Sequence, residues 1–368
     1  MEPNAHDQGS APQPVRAEAV AVPARPPALP RRRRWAPLLV IVLLAGLAGS
    51  LLLNLVLVGS LGITGTDRDR RVRERFYSHE PRGRDKVAIL SLEGVILDTD
   101  GFFKRQINRA ADDENVRAVV VRVDSGGGSV AASDHLYYHL NKLREESEIP
   151  VVVSMGGIAA SGAYYVSMAV GETPDSIYAE PATWTGSIGV VMPRYDISGL
   201  LEEWNIAEDS IVSHPMKVAG SMARPLDEEE RRYFQELVDE SFHRFKEVIR
   251  AGRPRFREDQ ESLERIATGK VFTAEQAREV GLVDRIGFVE DAVERAIELA
   301  GLDPDRVRVV EYRREPSLAD LFFPGLESRS ALPDASTLSE LSTPRPYFIF
   351  SALPGVGSLD PTAFAPRP

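Results

Sequence analysis

The chain has 368 residues, 43% of them hydrophobic, enough for one large domain or two modest ones. Its formal net charge of −11 argues against broad nucleic-acid binding. It contains no cysteine, which excludes disulfides, cysteine nucleophiles and cysteine-ligated metals.

Residues 1–34 are rich in proline, alanine and arginine, show no apolar periodicity, and read as a disordered tail. The tail ends in Arg31-Arg32-Arg33-Arg34. Trp35 to Leu61 is then almost wholly apolar, longer than the ~20 residues a helix needs to span a bilayer. A cleaved leader and a buried core helix are the competing readings. The length of the run and the arginine block favour a retained anchor with its arginines in the cytoplasm. Thr64 to Asp85 is dense in charge and reads as a solvated juxtamembrane linker.

From Lys86 the pattern alternates between strand and helix. Val87–Leu92 and Val116–Val123 read as strands, with helical spacing over Gly101–Ala111 between them. The second strand runs into Asp124-Ser125-Gly126-Gly127-Gly128-Ser129, and a helix is expected over Val130–Leu143. Val151-Val152-Val153 is a further strand. Gly156 and Gly157 are expected to turn the backbone, and a helix to follow from Ala159, with Ser161 at its first turn. Short strands are expected over Asp175–Ala179, around Thr185–Val191 and over Ser210–Ser213, with a helical Leu200–Trp204 between the last two. Leu226–Ile249 is a long amphipathic helix whose start is marked by Pro225 and acidic Asp227–Glu230. Helices over Glu258–Ala267, Thr273–Val280 and Val289–Leu299 and a strand over Val307–Tyr312 follow. From about Arg314 the chain is rich in proline and serine and reads as mostly disordered. Leu318–Leu326 and Tyr347–Leu353 are apolar islands suited to docking. The alternation across 86–312 implies an α/β domain with a layered, largely parallel sheet.

Two stretches carry chemistry. Ser161 sits where unpaired backbone N–H groups and a helix dipole would stabilise an oxyanion, although serine is also an ordinary N-cap. The 124–129 loop lacks the lysine of a P-loop and the spacing of a dinucleotide fingerprint. It is either a tight turn or a lining of glycine amides for an oxyanion. A serine nucleophile needs a base. His135 and His139 are spaced for a metal but lack the glutamate of a metalloprotease helix, and read as surface residues. His214 reads as stabilising a turn. Only six basic residues are lysines. One of them, Lys217, lies in a loop of small and apolar residues with no carboxylate between Asp209 and Asp227. Desolvated, such a lysine offers a neutral amine near pH 7; exposed, it is an ordinary loop lysine.

The succession DSGGGSV, SMGGIAASGAYYVSMA, TGSIGVV and the Lys217 loop resembles the signal peptide peptidase A family over residues 86–312. The resemblance implies a serine peptidase with a crotonase-like, Clp protease-type layered fold of repeated β-β-α units. It implies Ser161 as nucleophile, Lys217 as general base, Ser187 as a residue orienting the lysine, and the Gly127 and Gly162 amides as oxyanion donors. No metal or cofactor is implied. Gly126 stands where the family usually has proline, which loosens the loop. The VGETPDS segment is slightly longer than usual. Short-form relatives form dome-like, octameric rings in which the serine and lysine of a site come from neighbouring subunits.

The expected organisation is therefore a tail over 1–34, a transmembrane anchor over 35–61, a linker over 62–85, a peptidase domain over 86–313 and a tail over 314–368. The expected activity is cleavage of apolar peptides, such as signal-peptide remnants, at the outer face of the cytoplasmic membrane, with membrane lipid and like subunits as partners. The alternatives are an acyl-CoA enzyme of the same fold and an inactive membrane scaffold.

Overall fold

A computed structural model describes residues 39–47, 49–51, 72–315 and 346–349. The chain divides into two units, 1–65 and 66–368. In the first, residues 39–47 and 49–51 are helical, with exposed apolar side chains such as Leu39, Ile41 and Leu44. Among the described residues no helix is long and apolar enough to cross a membrane. The rest of the expected anchor, and the island at 318–326, lie outside the described residues.

The second unit is built on one sheet. Its strands are β1 (Val72–His79), β2 (Lys86–Ile96), β3 (Val116–Ser129), β4 (Val151–Ala160), β5 (Ile177–Ala179), β6 (Trp184–Gly186), β7 (Val271–Thr273), β8 (Arg285–Ile286), β9 (Arg308–Arg314) and β10 (Tyr347–Ile349). The order β1-β9-β2-β3-β4-β5-β8 is parallel from β9 onward, while β1 runs antiparallel to β9 at the edge. β6 lies beside the far end of β4. The helices are α1 (Phe102–Ala111), α2 (Val130–Glu146), α3 (Gly162–Ser167), α4 (Ser198–Glu203), α5 (Glu228–Gly252), α6 (Arg255–Glu258), α7 (Gln260–Ile266), α8 (Ala274–Val280) and α9 (Val289–Leu299).

Central parallel strands are covered on both faces, which is why they read as continuous apolar runs. Successive residues nevertheless point to opposite sides. Val87, Ile89, Val120 and Val152 pack on Ala292, Val293, Ala296 and Ile297 of α9. Ala88, Leu90, Val119, Val121 and Val153 belong to the larger core shared with α1, α2, α3 and α5.

Several expectations are corrected. Val72–His79, placed in the linker, is strand β1: Glu74 on it accepts from Lys86 at 3.0 Å and Arg109 at 3.2 Å, so the charges serve as an edge strand's anchors. The glycine loop after Val123 and the turn at Gly156-Gly157 are both continuations of strand, in β3 and β4. At Gly156 a Cβ would stand 3.0 Å from the Arg122 guanidinium, and the Asp124 carboxylate accepts from the Ile158 amide at 3.2 Å. Gly156 thus makes room for the Arg122 guanidinium, which pairs with Glu180, and the turn is deferred to Ser161. No strand forms over 210–213, where the residues are exposed. The apolar island at Tyr347 does dock, as β10 on β3.

Candidate active site

Ser161 closes β4 and precedes the first residue of α3. Its φ is 56° and ψ −116°, a conformation that L-residues other than glycine rarely hold. Backbone hydrogen bonds on both sides impose it. The Ser161 amide donates to Gly186 O at 2.8 Å, and its carbonyl accepts from the Tyr165 amide at 2.9 Å. A sharp strand-to-helix turn of this kind presents a hydroxyl away from the sheet while leaving the next amide, that of Gly162, at the helix start. The Ser161 residue is 1% exposed, and its Oγ is buried with no hydrogen-bond partner. A hydroxyl left unpaired in a buried position is costly unless a function uses it.

Three backbone segments converge beside it. Gly127 has a φ of 94°, and a Cβ there would stand 2.6 Å from Gly162 N and 2.2 Å from Phe348 O. A Cβ on Gly162 would meet Phe348 O at 3.1 Å and Ser133 Oγ at 2.5 Å. Only glycine fits at either place. The Gly127 amide itself donates to Ser125 Oγ at 3.1 Å. Gly128 is paired with Phe348 in the antiparallel register. Val130 N donates to Pro346 O at 3.4 Å two residues away, so the alternation makes Gly128 and Phe348 a hydrogen-bonded pair. The Gly128 amide thus points at the Phe348 carbonyl, beside the expected donor Gly127. Nothing local in three successive glycines separates them.

Ser187, also at positive φ (50°), donates from its amide to Lys270 O at 2.8 Å and from Oγ to Gly269 O at 3.3 Å. It ties β6 to the segment before β7, which in turn positions the Gly186 carbonyl that holds Ser161. Lys217 lies in a single 3-10 turn, Pro215–Val218, and is exposed. Among the described residues no hydrogen bond joins it to Ser161, whereas Gly127 and Gly162 lie together beside Ser161, and Ser187 follows the Gly186 carbonyl that holds it. His214 has the turn-stabilising role read from sequence: its Nδ1 accepts from the Met216 amide at 3.2 Å. The His135 and His139 rings lie 4.4 Å apart, tilted at 59° to each other. Burial, then the nearby Lys104 charge, hold the His139 imidazole below its ordinary pKa. Among the described residues no group of three His, Cys, Asp or Glu side chains is placed to hold a metal.

Next to the glycine notch lies an aromatic cluster. Phe348 is fully buried, its ring stacked on Tyr165 at 5.1 Å and 4.5 Å from the Phe245 ring. Tyr137 meets Tyr165 edge-on at 5.5 Å. The Tyr165 hydroxyl donates to Asp134, which also pairs with Arg244 at 3.2 Å. Burial, reinforced by that carboxylate, pushes the Tyr165 phenol up, so it stays a donor throughout the ordinary pH range.

Residues 143–303 match Peptidase family S49. A putative protease of Synechocystis sp., slr0021, is 37% identical over 226 residues, covering 61% of this chain and 78% of that protein. The chain belongs to peptidase family S49. A putative signal peptide peptidase SppA of Enterococcus faecium is 30% identical over 312 residues, 77% of this chain and 85% of its own. Protease 4 of Salmonella typhi is 35% identical over 260 residues, of which this chain spans only 40% of the relative's length. As a member of the S49 and SppA group the chain is a serine-type endopeptidase, which sets aside the acyl-CoA alternative.

Proposed function

We propose that Ser161 is the acyl nucleophile and that the amides of Gly162 and Gly128 hold the tetrahedral oxyanion. The observation that carries this is the Ser161 hydroxyl itself: buried, unpartnered, on a strained strand-to-helix turn and flanked by two glycines that admit a carbonyl. Each such donor is worth roughly 10²–10³ in rate.

The base is Lys217 from a neighbouring copy. A lysine acts as a base only when burial disfavours its ammonium form. Lys217 is exposed on the single chain, so a second subunit must cover it and deliver it to a Ser161. In that assembly Ser187 orients the amine, as the resemblance implies. The layered sheet is read as crotonase-like, and the octameric ring as its assembly. The substrates are extended apolar peptides, with signal-peptide remnants favoured by the likeness to the Enterococcus signal peptide peptidase. The arginine block and the apolar run to Leu61 would anchor the enzyme in the cytoplasmic membrane with the peptidase domain outside.

Ser161→Ala and Lys217→Ala are each expected to lower hydrolysis of an unstructured apolar peptide by at least ~10³-fold with the fold intact. Mixing the two variants is expected to restore part of the activity, because some sites then combine an intact serine with an intact lysine. Wild-type rates in either single variant would overturn the dyad.

A further inference from the structure

We propose that the Ser133 hydroxyl is a third donor to the tetrahedral oxyanion, alongside the amides of Gly162 and Gly128. The inference rests on the nucleophile assignment above and adds to it a catalytic side chain from a different element.

The first support is position. Ser133 lies near the start of α2 and is fully buried. A Cβ on Gly162 would stand 2.5 Å from Ser133 Oγ and 3.1 Å from Gly128 N. The hydroxyl and one donor amide therefore flank a single point, beside the Cα whose own amide is the other donor. A main-chain oxygen, that of Phe348, stands 3.1 Å from the same point, so this space admits a carbonyl. In the groove beside Ser161 three donors thus converge from three elements, β3, α3 and α2.

The second support is that the hydroxyl has nothing else to do. Ser133 Oγ is buried and has no hydrogen-bond partner among the described residues. A buried helical serine commonly finds an acceptor one turn back on its own helix. This chain does so twice: Ser167 Oγ donates to Ala163 O and Ser241 Oγ to Leu237 O, each at 2.8 Å. Ser133 makes no such bond to Ser129. If only small size mattered where α2 meets α3, alanine would fit and would leave no hydroxyl stranded out of water. Among the described residues the buried serine hydroxyls without a partner are those of Ser133 and Ser161, and both border Gly162. Donors left unpaired at rest, and placed for the oxygen of the tetrahedral state, favour that state over the bound substrate.

The third support is rigidity. Asp134, the next residue, accepts from the Tyr165 hydroxyl and pairs with Arg244 at 3.2 Å. Tyr165 belongs to α3, one helical turn after Ser161. The turn that bears Ser133 is therefore bolted to the helix that starts behind the nucleophile. A donor held in this way needs no reorganisation as charge develops.

The proton count is simple. Ser161 Oγ adds to the substrate carbonyl carbon, its proton passes to the lysine amine, and the electron pair of the C=O bond settles on oxygen. Ser133 keeps its own proton and points it at that oxygen. The C–N bond then breaks, the leaving nitrogen takes the proton from the lysine, and the reformed carbonyl lets go of Ser133.

The test uses the full chain in detergent and an unstructured apolar peptide in three forms: the substrate, its C-terminal aldehyde and its C-terminal alcohol. The aldehyde adds to Ser161 as a tetrahedral hemiacetal, and the alcohol cannot. Ser133→Ala is expected to lower kcat on the order of 10²-fold with KM within about twofold of wild type. Its Tm is expected to equal or exceed that of wild type, because a stranded hydroxyl has been removed. Inhibition by the aldehyde is expected to weaken at least ~10-fold while inhibition by the alcohol stays the same. A wild-type kcat in Ser133→Ala, or aldehyde inhibition as strong as in wild type, overturns the third donor; with Ser161→Ala inactive alongside, the nucleophile assignment stands. A fall in Tm with equal weakening of aldehyde and alcohol marks a packing role and also overturns it. Wild-type turnover in Ser161→Ala overturns the third donor and the nucleophile together.

Discussion

At Gly128 a Cβ would lie 2.0 Å from Ile96 O and 2.5 Å from Ile96 C, both backbone atoms of a neighbouring central strand. Neither can swing aside as a side-chain end would, so relief requires β2 and β3 to separate locally. Gly128→Ala is therefore expected to destabilise the domain by about 3 kcal/mol, at the upper end of overpacking effects, and to abolish hydrolysis. Thermal unfolding followed by circular dichroism, with the peptide assay alongside, checks both. The strand-to-helix passage around Ser161 is legible in the sequence because strand, small residues and helix follow in order there. The direction of each amide in Gly126–Gly128 is not, since it is set by register against Phe348, more than two hundred residues later. The same holds for Tyr165, whose place in the aromatic cluster depends on Phe245 and Phe348 arriving from elsewhere.

Among the elements, helices were more legible than strands. α5 was expected over Leu226–Ile249 and runs over Glu228–Gly252, because its start carries a local signal. Asp227 accepts from the Glu230 amide at 2.8 Å, and the Glu230 carboxylate accepts from the Asp227 amide at 3.2 Å, a reciprocal cap. Removing it by Asp227→Ala is expected to cost about 1 kcal/mol, seen as a drop in Tm of a few degrees with peptide hydrolysis unchanged. Strands were misjudged where pairing overrode local preference. Glycine-rich 126–128 looks like a turn, yet Gly127 and Gly128 are held in β3 between β2 and β10, while Gly156 and Gly157 fall between the pairs that β4 makes at Met155 and at Ile158. The charged run 72–79 looks like a solvated spacer, yet it pairs with β9 and uses its acid to fix Lys86.

For the molecule as a whole, that acid cluster ties the sheet edge to α1 and to the start of β2. Lys86 bonds Asp113 at 2.8 Å and Glu74 at 3.0 Å, all three largely buried. Burial alone would push the Asp113 carboxyl up. The hydrogen bonds from Lys86 and Asn115 outweigh it and hold Asp113 below the ordinary carboxylate range. Burial likewise works to lower the Lys86 ammonium, and its two acid partners raise it overall. The Asp113 contribution is thus complete above the unfolded value of about 3.9 and fades as pH falls through the lower folded one. The Lys86 contribution persists below about 10.4 and fades only as pH rises through its raised folded value. Wild type is expected to exceed Asp113→Asn in Tm at neutral pH, with the gap closing as pH falls below about 4, as measured by calorimetry.

The pair of main-chain bonds between Tyr347 and Val191, at 2.8 and 3.0 Å, reaches further than the groove. Three residues past Val191, Arg194 donates to Ser221 O at 2.8 Å, and the Ile197 amide donates to Met222 O at 2.9 Å. Those carbonyls follow directly on the turn that bears Lys217. A peptide lying in the groove is therefore stitched, through one short stretch of main chain, to the ground on which the lysine stands. In the dyad proposed above, occupancy and the posture of Lys217 are fastened by the same seam, and an empty groove leaves that seam open at one end.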